Sequence, residues 1–477
     1  MAKKFYITAA IPYVNAEPHI GHTLEFVQAD TLARHHELKG EEVLFLSGAD
    51  ENAQKNVQAA KENKTTPQKW CDINSQKFLN LKNLLNLTDN FIFQRSSDKN
   101  HYLASQKLWK LCKKKDIYLK KYKGFYCLGC EAFITEKELV DGHCPEHPNQ
   151  KTEIVEEENY FFKLSNYQGF LEDLIAQNRL EIIPQKRRHE VLSFITLGLK
   201  DFSISRSAKR MGGWGIPVPK DSNQVMYVWF DALNVYQSGV GFGWDEEKYN
   251  TWWPADLHCI GKGILRFHAI YWPAILKSAG LKLPKKIFVH GYLTIEGQKI
   301  SKSLGNVINP GKVVNKYGTD ALRYFLLKTI HPHKDGDFNW QLFNEVYNAD
   351  LANGVGNLVQ RIAKLAERAD LRNFRKVTVG TAIRIAVEVA IGLFEFHRAL
   401  NIIWEEITKL DQYINQTKPW EKSGKELEEL LQKPIREILG IACLLQPFLP
   451  QTAEKIETIF TSPKIKAPSK PLFPRIK

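Results

Sequence analysis

Hydrophobic positions along this chain fall into two regimes. As far as about residue 345, short apolar runs alternate with amphipathic stretches, and beyond it only long helical periodicities remain. The opening KKFYITAAIPYVNAEPHIGH predicts a short strand, a Pro/Asn turn and the start of a helix. TLEFVQADTLARHHELKG continues as an amphipathic helix that stops at Gly40. VLFLSGAD is short and continuously apolar, the pattern of a strand buried in a parallel sheet. Strand, helix and strand within about forty residues predict a βαβ unit. From about Asp116 short strands alternate with turns, and cysteines enter. QVMYVWFDAL, DLHCIGKGI and KKIFVHGYL then predict three more strands, the second half of an interrupted α/β sheet. After Val346, NADLANGVGNLVQRIAKLAERA and KELEELLQKPIREILGIACLLQPFL predict an all-helical region.

The expected architecture is therefore α/β. A Rossmann-like parallel-sheet domain is split into residues 1–115 and 226–290 by an insertion at 116–225. A connecting region covers 291–345, and an all-α domain covers 346–477.

Composition adds limits to that picture. The chain has 477 residues, 43% hydrophobic and 25% charged, which excludes disordered, collagenous and low-complexity classes. Sixty-six basic against 53 acidic side chains leave a net charge of +13. The excess is concentrated: Lys99–Lys123 carries nine lysines against Asp116 alone, and Thr461–Lys477 carries five basic residues and no acid. Each run reads either as a solvated surface or as a contact to a polyanion such as nucleic acid. Seven cysteines in so long a chain do not make a secreted disulfide framework. The N-terminus lacks the long apolar core and cleavage site of a signal peptide, and no apolar run reaches the ~20 residues that span a bilayer. The expectation is a cytoplasmic protein with no membrane association.

Three motifs carry candidate chemistry. His19 and His22 flank Gly21 at a predicted helix N-terminus, where free N–H groups and the helix dipole favour phosphate and a glycine lets a nucleotide approach. Lys299-Ile300-Ser301-Lys302-Ser303 lies between Gly297 and Gly305, a basic loop with hydroxyls and room to close. Taken singly, the first also reads as surface histidines beside a turn and the second as a solvated loop. Cys127-x2-Cys130-x13-Cys144-x2-His147 offers three thiolates and an imidazole in two tight pairs, a closed tetrahedral zinc site of structural type.

The two basic motifs, in this order and in the forms HxGH and KxSKS, are the signatures of class I aminoacyl-tRNA synthetases. With IPYVNAEPHIGH, YCLGCEAF, DGHCPEH, RRHEVLSFI, WGIPVP, YVWFDAL, YGTDALRYFLL and YNADLANGVGNL, the chain resembles the methionyl-tRNA synthetases over nearly its whole length. That resemblance implies ATP-dependent formation of methionyl-adenylate and transfer of the methionyl group to tRNA(Met), in a catalytic domain followed by an anticodon-binding helical domain. It implies ATP contacts from His19, Gly21, His22, Lys299, Ser301, Lys302 and Ser303, with His19, His22, Lys299 and Lys302 catalytic, and Mg²⁺ accompanying ATP. Aromatic walls suit the polarisable sulfur of methionine, and Tyr13, Trp229, Tyr236 and His268 sit at predicted strand ends. The resemblance extends the methionine-binding set to Ile11, Asp50, Ala232 and Ile264, with Asp50 holding the α-ammonium. It also assigns anticodon contacts to Asn357, Arg361 and Trp420, an amide, a guanidinium and an indole of the kind that read splayed bases.

The chain departs from the family pattern at Asn52 and Ala53, where the family reads His and Gly, and at Gly263, where it reads Asp. An insertion of about 110 residues is too short for the editing domain that the leucyl, isoleucyl and valyl enzymes need. The cysteinyl enzyme and a catalytically impaired tRNA-binding paralogue are the remaining alternatives. The chain ends at LFPRIK without the appended domain that dimerises some relatives, which reads as a monomer.

Overall fold

The computed structural model describes residues 3–476 apart from 135, 146, 301–304, 372–373 and 375–379, and leaves the side chains of 132, 137 and 147–150 undescribed. By packing, the chain forms two units. One comprises Met1–Pro18, Glu41–Asn80 and Asp89–Val289, and the other His19–Gly40, Leu81–Thr88 and His290–Lys477.

The first unit is built on six strands: β1 (Lys4–Ala9), β2 (Glu42–Ala49), β3 (Phe91–Arg95), β4 (Glu181–Ile183), β5 (Leu257–Gly261) and β6 (Lys286–His290). Their order across the sheet is β3-β2-β1-β5-β6-β4. Strand β1 pairs in parallel with both β2 and β5, as β2 does with β3 and β6 with β4. In the chain, helix α1 (Ile20–Leu38) follows β1 and helix α2 (Gln54–Glu62) follows β2. All of β1 and β2 beyond the first residue of each is buried, which is why both read as unbroken apolar runs. The strand order reverses between β1 and β5. A crevice therefore opens at the C-terminal ends of those strands, where open α/β sheets bind ligands.

Residues 117–162 form an antiparallel arm. Strand Ile117–Cys127 pairs with Glu153–Phe162 on one side and Ala132–Ile134 on the other. Two features differ from expectation. Strand β4 lies inside the expected insertion yet returns to the edge of the main sheet beside β6. QVMYVWFDAL is not a strand of that sheet. Its strand, Asp221–Met226, pairs antiparallel with Ser205–Ser207 and Pro217–Val218, and Val228–Ala232 is helical. Every residue from 224 to 242 is buried, so no polar face marks the helical period, and a fully apolar run looks the same as strand or helix.

In the second unit, helices Thr381–Gly392, Phe396–Thr417, Gly424–Leu445 and Pro450–Thr461 pack in succession. Phe396, Ala399, Leu400, Ile403, Ile407, Leu410 and Ile414 recur at three- and four-residue spacing and form the buried stripe of the second. The segment expected as one helix from Asn348 is π-wound over Tyr347–Gly356 and broken at Gly354 before the α-helix Asn357–Ala366 begins. Among the described residues, no helix is long and apolar enough to cross a membrane. Of the cysteines outside the clustered set, Cys71, Cys112 and Cys259 are buried and Cys443 is half-buried.

One buried ion pair joins the pieces of this unit. Arg323, on helix α3 (Thr319–Lys328), is fully buried and reaches Asp30 of α1 at 2.7 Å. Its remaining N–H groups donate to the carbonyls of Phe448 (2.7 Å), Pro447 (2.9 Å) and Leu85 (3.2 Å). Asp30 also accepts from the Thr88 amide at 2.7 Å and from Arg34 at 2.9 Å. Three carbonyls and a carboxylate around one planar fork are a demand that lysine cannot meet. Arg323→Met is expected to remove the guanidinium donors of the Phe448, Pro447 and Leu85 carbonyls and one of the two cations on Asp30, and to destabilise the unit by about 3–5 kcal/mol, read as a fall in the urea midpoint. Arg323→Lys is expected to recover only a minor part of it.

Candidate active site

His19 is the N-cap of α1, and it caps in an unusual way. Its Nδ1 accepts the Gly21 amide at 3.1 Å, while its own amide donates to His22 Nδ1 at 3.2 Å. This is the reciprocal geometry of a capping box with imidazoles in place of hydroxyl and carboxylate. It starts the helix at Ile20, three residues before the expected Thr23. The two rings stack with centroids 3.8 Å apart. Because both Nδ1 atoms accept, each neutral ring carries its proton on Nε2. Burial lowers both pKa values, His19 to about 4, so the pair is neutral at pH 7 and offers N–H donors rather than charge. A Cβ on Gly21 would stand 3.0 Å from the His19 ring and 3.4 Å from Ile300. The lysine loop is also tied to this helix end, since the Ile20 amide donates to the Ile308 carbonyl at 3.0 Å. Lys299 ends a two-residue strand paired with Leu293–Ile295. Ser301, Lys302 and Ser303 lie outside the described residues.

The expected methionine residues converge in the first unit, at the C-terminal ends of β1, β2 and β5. Ile11, Trp229, Ala232, Tyr236, Ile264 and His268 line one small cavity together with Ala10 and Leu233. Tyr13 and Asp50 are bridged to each other, and Tyr13 meets Trp229 edge to face at 6.3 Å. His268 Nδ1 faces the Ile264 carbonyl at 3.0 Å and is therefore protonated, so its Nε2 accepts from the Tyr236 hydroxyl at 2.8 Å. Burial lowers the His268 pKa to about 4. The Tyr13 hydroxyl, the Trp229 indole N–H and one Asp50 carboxylate oxygen are buried without a hydrogen-bond partner. Buried polar atoms left unpaired together mark a place where a ligand supplies the partners. Burial, then Asp231 and Glu131, push the Asp50 pKa well up, while Lys55 pulls it down.

Several members of this site carry no signal in the sequence. Phe267 stacks on Trp229 at 3.8 Å and 4° between planes. Lys55 sits with its ammonium 3.8 Å over the Tyr13 ring. Asn52, at the first departure from the family pattern, is fully buried and donates to Asp231 (2.6 Å) and to the Ser96 carbonyl (3.1 Å). Gly263, at the second, sits exposed in the turn after β5.

The sulfurs of Cys127, Cys130 and Cys144 all lie within 4.8 Å of one another. Cys130 and Cys144 are 3.5 Å apart, and the Cys130 amide points at Cys127 sulfur at 3.4 Å. Tetrahedral zinc with bonds of about 2.3 Å spaces thiolates at just this scale, so the set fits the metal. His147 stands opposite Cys144 in a two-stranded ribbon, and its side chain lies outside the described residues.

In the second unit the structure brings Arg361 and Trp420 together, the guanidinium 6.0 Å from the indole centroid. Arg361 is held by Asp411 at 2.5 Å and Asn415 at 2.7 Å, and Asn357 is exposed one turn away on the same helix. The lysine-rich run is less bare than its sequence implies. Lys121 and Lys123 stand opposite Glu158 and Glu156 across the antiparallel arm, and Lys107 pairs with Glu246. Lys113, Lys114 and Lys115 are exposed.

A parallel sheet with a small cavity at its switch point, in a chain whose first helix is capped by a histidine pair, is the arrangement expected of a class I aminoacyl-tRNA synthetase. The family model described as tRNA synthetases class I (M) matches residues 5–153 and 147–363. Methionine–tRNA ligases of Thermotoga maritima and of a Synechocystis species are 40% and 42% identical, each over 95% of this chain, covering 74% and 88% of the relative. A solved structure of Mycobacterium tuberculosis methionyl-tRNA synthetase in complex with methionyl-adenylate superimposes with a TM-score of 0.89 at 35% identity, over 99% of this chain and all of that one. The chain belongs to the methionine–tRNA ligase family.

The buried imidazole of His268 sets a pH dependence. Its pKa of about 4 in the fold lies below the ordinary 6.5, so the unfolded chain binds the extra proton between those values. Its contribution to stability is complete above pH 6.5 and is lost as pH falls toward 4. Between pH 7 and 5, wild type is expected to lose about 1–2 kcal/mol more stability than His268→Gln, measured by urea unfolding at both pH values.

Proposed function

We propose that this chain joins L-methionine to tRNA(Met) in two steps. The methionine carboxylate oxygen attacks the α-phosphorus of ATP and pyrophosphate leaves, giving methionyl-adenylate. The 3′-terminal ribose hydroxyl of the tRNA then attacks the acyl carbon, and AMP leaves. The observation that carries this reading is the buried Asp50 carboxylate, one oxygen of it without a partner, beside the aromatic walls of Tyr13 and Trp229. An α-ammonium supplies the missing partner and the positive charge that lets Asp50 ionise. The apolar cavity lined by Ile11, Ala232, Ile264 and Trp229 suits a thioether chain, with the Tyr236 hydroxyl and the His268 ring at its wall.

ATP enters with Mg²⁺ as part of the substrate. His19 and His22 present neutral Nε2–H donors to its phosphates, and Gly21 leaves room for them. Lys299 and Lys302 supply positive charge as the α-phosphate becomes pentavalent, and Ser301 and Ser303 add hydroxyl donors. The protein's work is positioning and charge stabilisation, with no covalent intermediate on a side chain. Cys127, Cys130, Cys144 and His147 would hold one structural zinc, which ties the tip of the arm into one shape when bound. Asn357, Arg361 and Trp420 read anticodon bases by hydrogen bonding and stacking.

Pyrophosphate exchange tests the reading. Exchange is expected with methionine and not with cysteine or leucine, and Lys302→Ala is expected to slow it by at least ~100-fold, the scale of losing one transition-state donor. Full exchange in that variant rejects the role of Lys302, and exchange with cysteine alone rejects the amino-acid assignment. The exposed Lys113–Lys115 cluster is assigned to the tRNA backbone. Replacing all three by glutamine is expected to weaken tRNA binding and to reduce the slope of log K against log salt by up to about 2. Methionine-dependent exchange is expected to stay at the wild-type rate.

A further inference from the structure

Helix α2 begins four residues after Asp50, and its N-cap, Ala53, has no side chain that can accept a hydrogen bond. The open amides of a first turn need acceptors. Here the cysteine turn of the arm supplies one. Glu131, the residue after Cys130, accepts the Lys55 amide at 2.8 Å and takes the Tyr126 hydroxyl on its other oxygen at 2.8 Å. Glu131 holds a left-handed backbone, φ 55°, which a side-chain-bearing residue adopts at a cost. In return, the Lys55 ammonium donates to the Gly129 carbonyl at 2.8 Å, between Cys127 and Cys130. One lysine is thus gripped twice by the Gly129-Cys130-Glu131 turn. The same ammonium lies 3.8 Å over the face of Tyr13, which is bridged to Asp50 and packed on Trp229.

We infer that Lys55 is a positioning residue that couples the cysteine turn to the methionine pocket, so that methionine binds tightly only while the turn is closed. The inference rests on the methionine reading of that pocket. With the turn closed, Gly129 and Glu131 hold Lys55 against the Tyr13 ring, so that its ammonium is shared between the Gly129 carbonyl and the ring face. With the turn open, the ammonium loses its carbonyl acceptor and the Lys55 amide loses its carboxylate acceptor. A buried ammonium without partners is costly, and the nearest relief is the Asp50 carboxylate, the group that the substrate's own ammonium needs. Lys55 then competes with methionine. A zinc ion on Cys127, Cys130 and Cys144 would keep the turn closed, and linkage requires that methionine in turn tighten the binding of that zinc.

The test uses the full-length zinc-loaded protein, methionine itself as the ligand, tryptophan fluorescence for binding and competition with a chromogenic chelator for the extent of zinc release at equilibrium. In wild type, stripping zinc is expected to raise the methionine Kd roughly 10-fold, and saturating methionine to lower the zinc Kd by the same factor. In Lys55→Met, which keeps the apolar stem and lacks the charge, zinc content stays at one per chain, and both effects are expected to vanish. Lys55→Arg is expected to restore part of them. Equal effects of zinc in wild type and Lys55→Met, or no effect of methionine on zinc release in wild type, would overturn the coupling. Failure of zinc-loaded wild type to bind methionine at all would instead overturn the pocket assignment.

Discussion

A carboxylate buried at the C-terminal end of a central parallel strand is the constraint around which the first unit is arranged. Asp50 follows β2, a strand covered on both faces, and its amide and carbonyl are already spent on Pro12 and Asn56. The side chain therefore emerges into a crevice with one oxygen unpaired. Burial alone costs an isolated carboxylate more than the fold can offset, so the group must be neutral or answered by a cation. Asp231 and Glu131 add negative potential and make the problem worse. The residues around it moderate that potential without cancelling it. Asn52 holds Asp231 by a neutral amide, and the Gly129 carbonyl of the cysteine turn holds the Lys55 ammonium over the face of Tyr13. What remains is a site that lacks one positive charge. In the proposed function the amino-acid substrate would bring that charge, which would make its ammonium a better handle than its side chain.

The second unit meets a related demand with the opposite solution. Arg323 and Asp30 are both fully buried, and there the chain supplies every partner itself. Asp30 lies eleven residues beyond His19 on α1, about 16 Å along the helix. A helix pinned at its middle by a four-armed guanidinium cannot slide without breaking several charge-assisted bonds. The histidine cap at its N-terminus is therefore held as firmly as the core. That rigidity matters for a reaction in which the donors must meet a developing charge at fixed positions. The two imidazoles add to it by using their Nδ1 atoms on backbone amides, which leaves the proton of each ring on Nε2.

Much of this was legible in the sequence where one local rule governs one residue. VLFLSGAD, DLHCIGKGI and KKIFVHGYL announced strands of an α/β sheet, and strands lie there at 42–49, 257–261 and 286–290. Paired cysteines two apart announced a metal knuckle, and three of the sulfurs do cluster. Six of the eight residues expected around methionine line one cavity, because strand ends at a switch point are adjacent whatever lies between them in the chain. The failures share a cause. YVWFDAL is buried on all sides, so periodicity had no polar face to report. Phe267, Lys55 and Glu131 act through partners far away in sequence or through a ring beside them, and none belongs to a motif. Glu131 in particular reads as a surface acid, yet its carboxylate finishes a helix that starts more than seventy residues earlier.

The net charge shows the same limit from another side. Counting along the chain, Lys99–Lys123 is the most basic stretch and invites a single polyanion-binding face. An antiparallel strand pair undoes that count, because it sets residues adjacent that the sequence separates by more than thirty positions. Lys121 and Lys123 meet Glu158 and Glu156 across the ladder, where opposite charges stabilise each other and little net field reaches solvent. Lys107 meets Glu246 from another element again. Only the turn between helix Lys99–Leu111 and strand Ile117–Cys127 keeps three adjacent lysines exposed. The arm is therefore better described as a charge-paired ribbon with a basic collar at its root. On the proposed function, a tRNA reaching the crevice would be drawn by that collar, while the acids along the ribbon would keep the rest of the arm from binding phosphate indiscriminately.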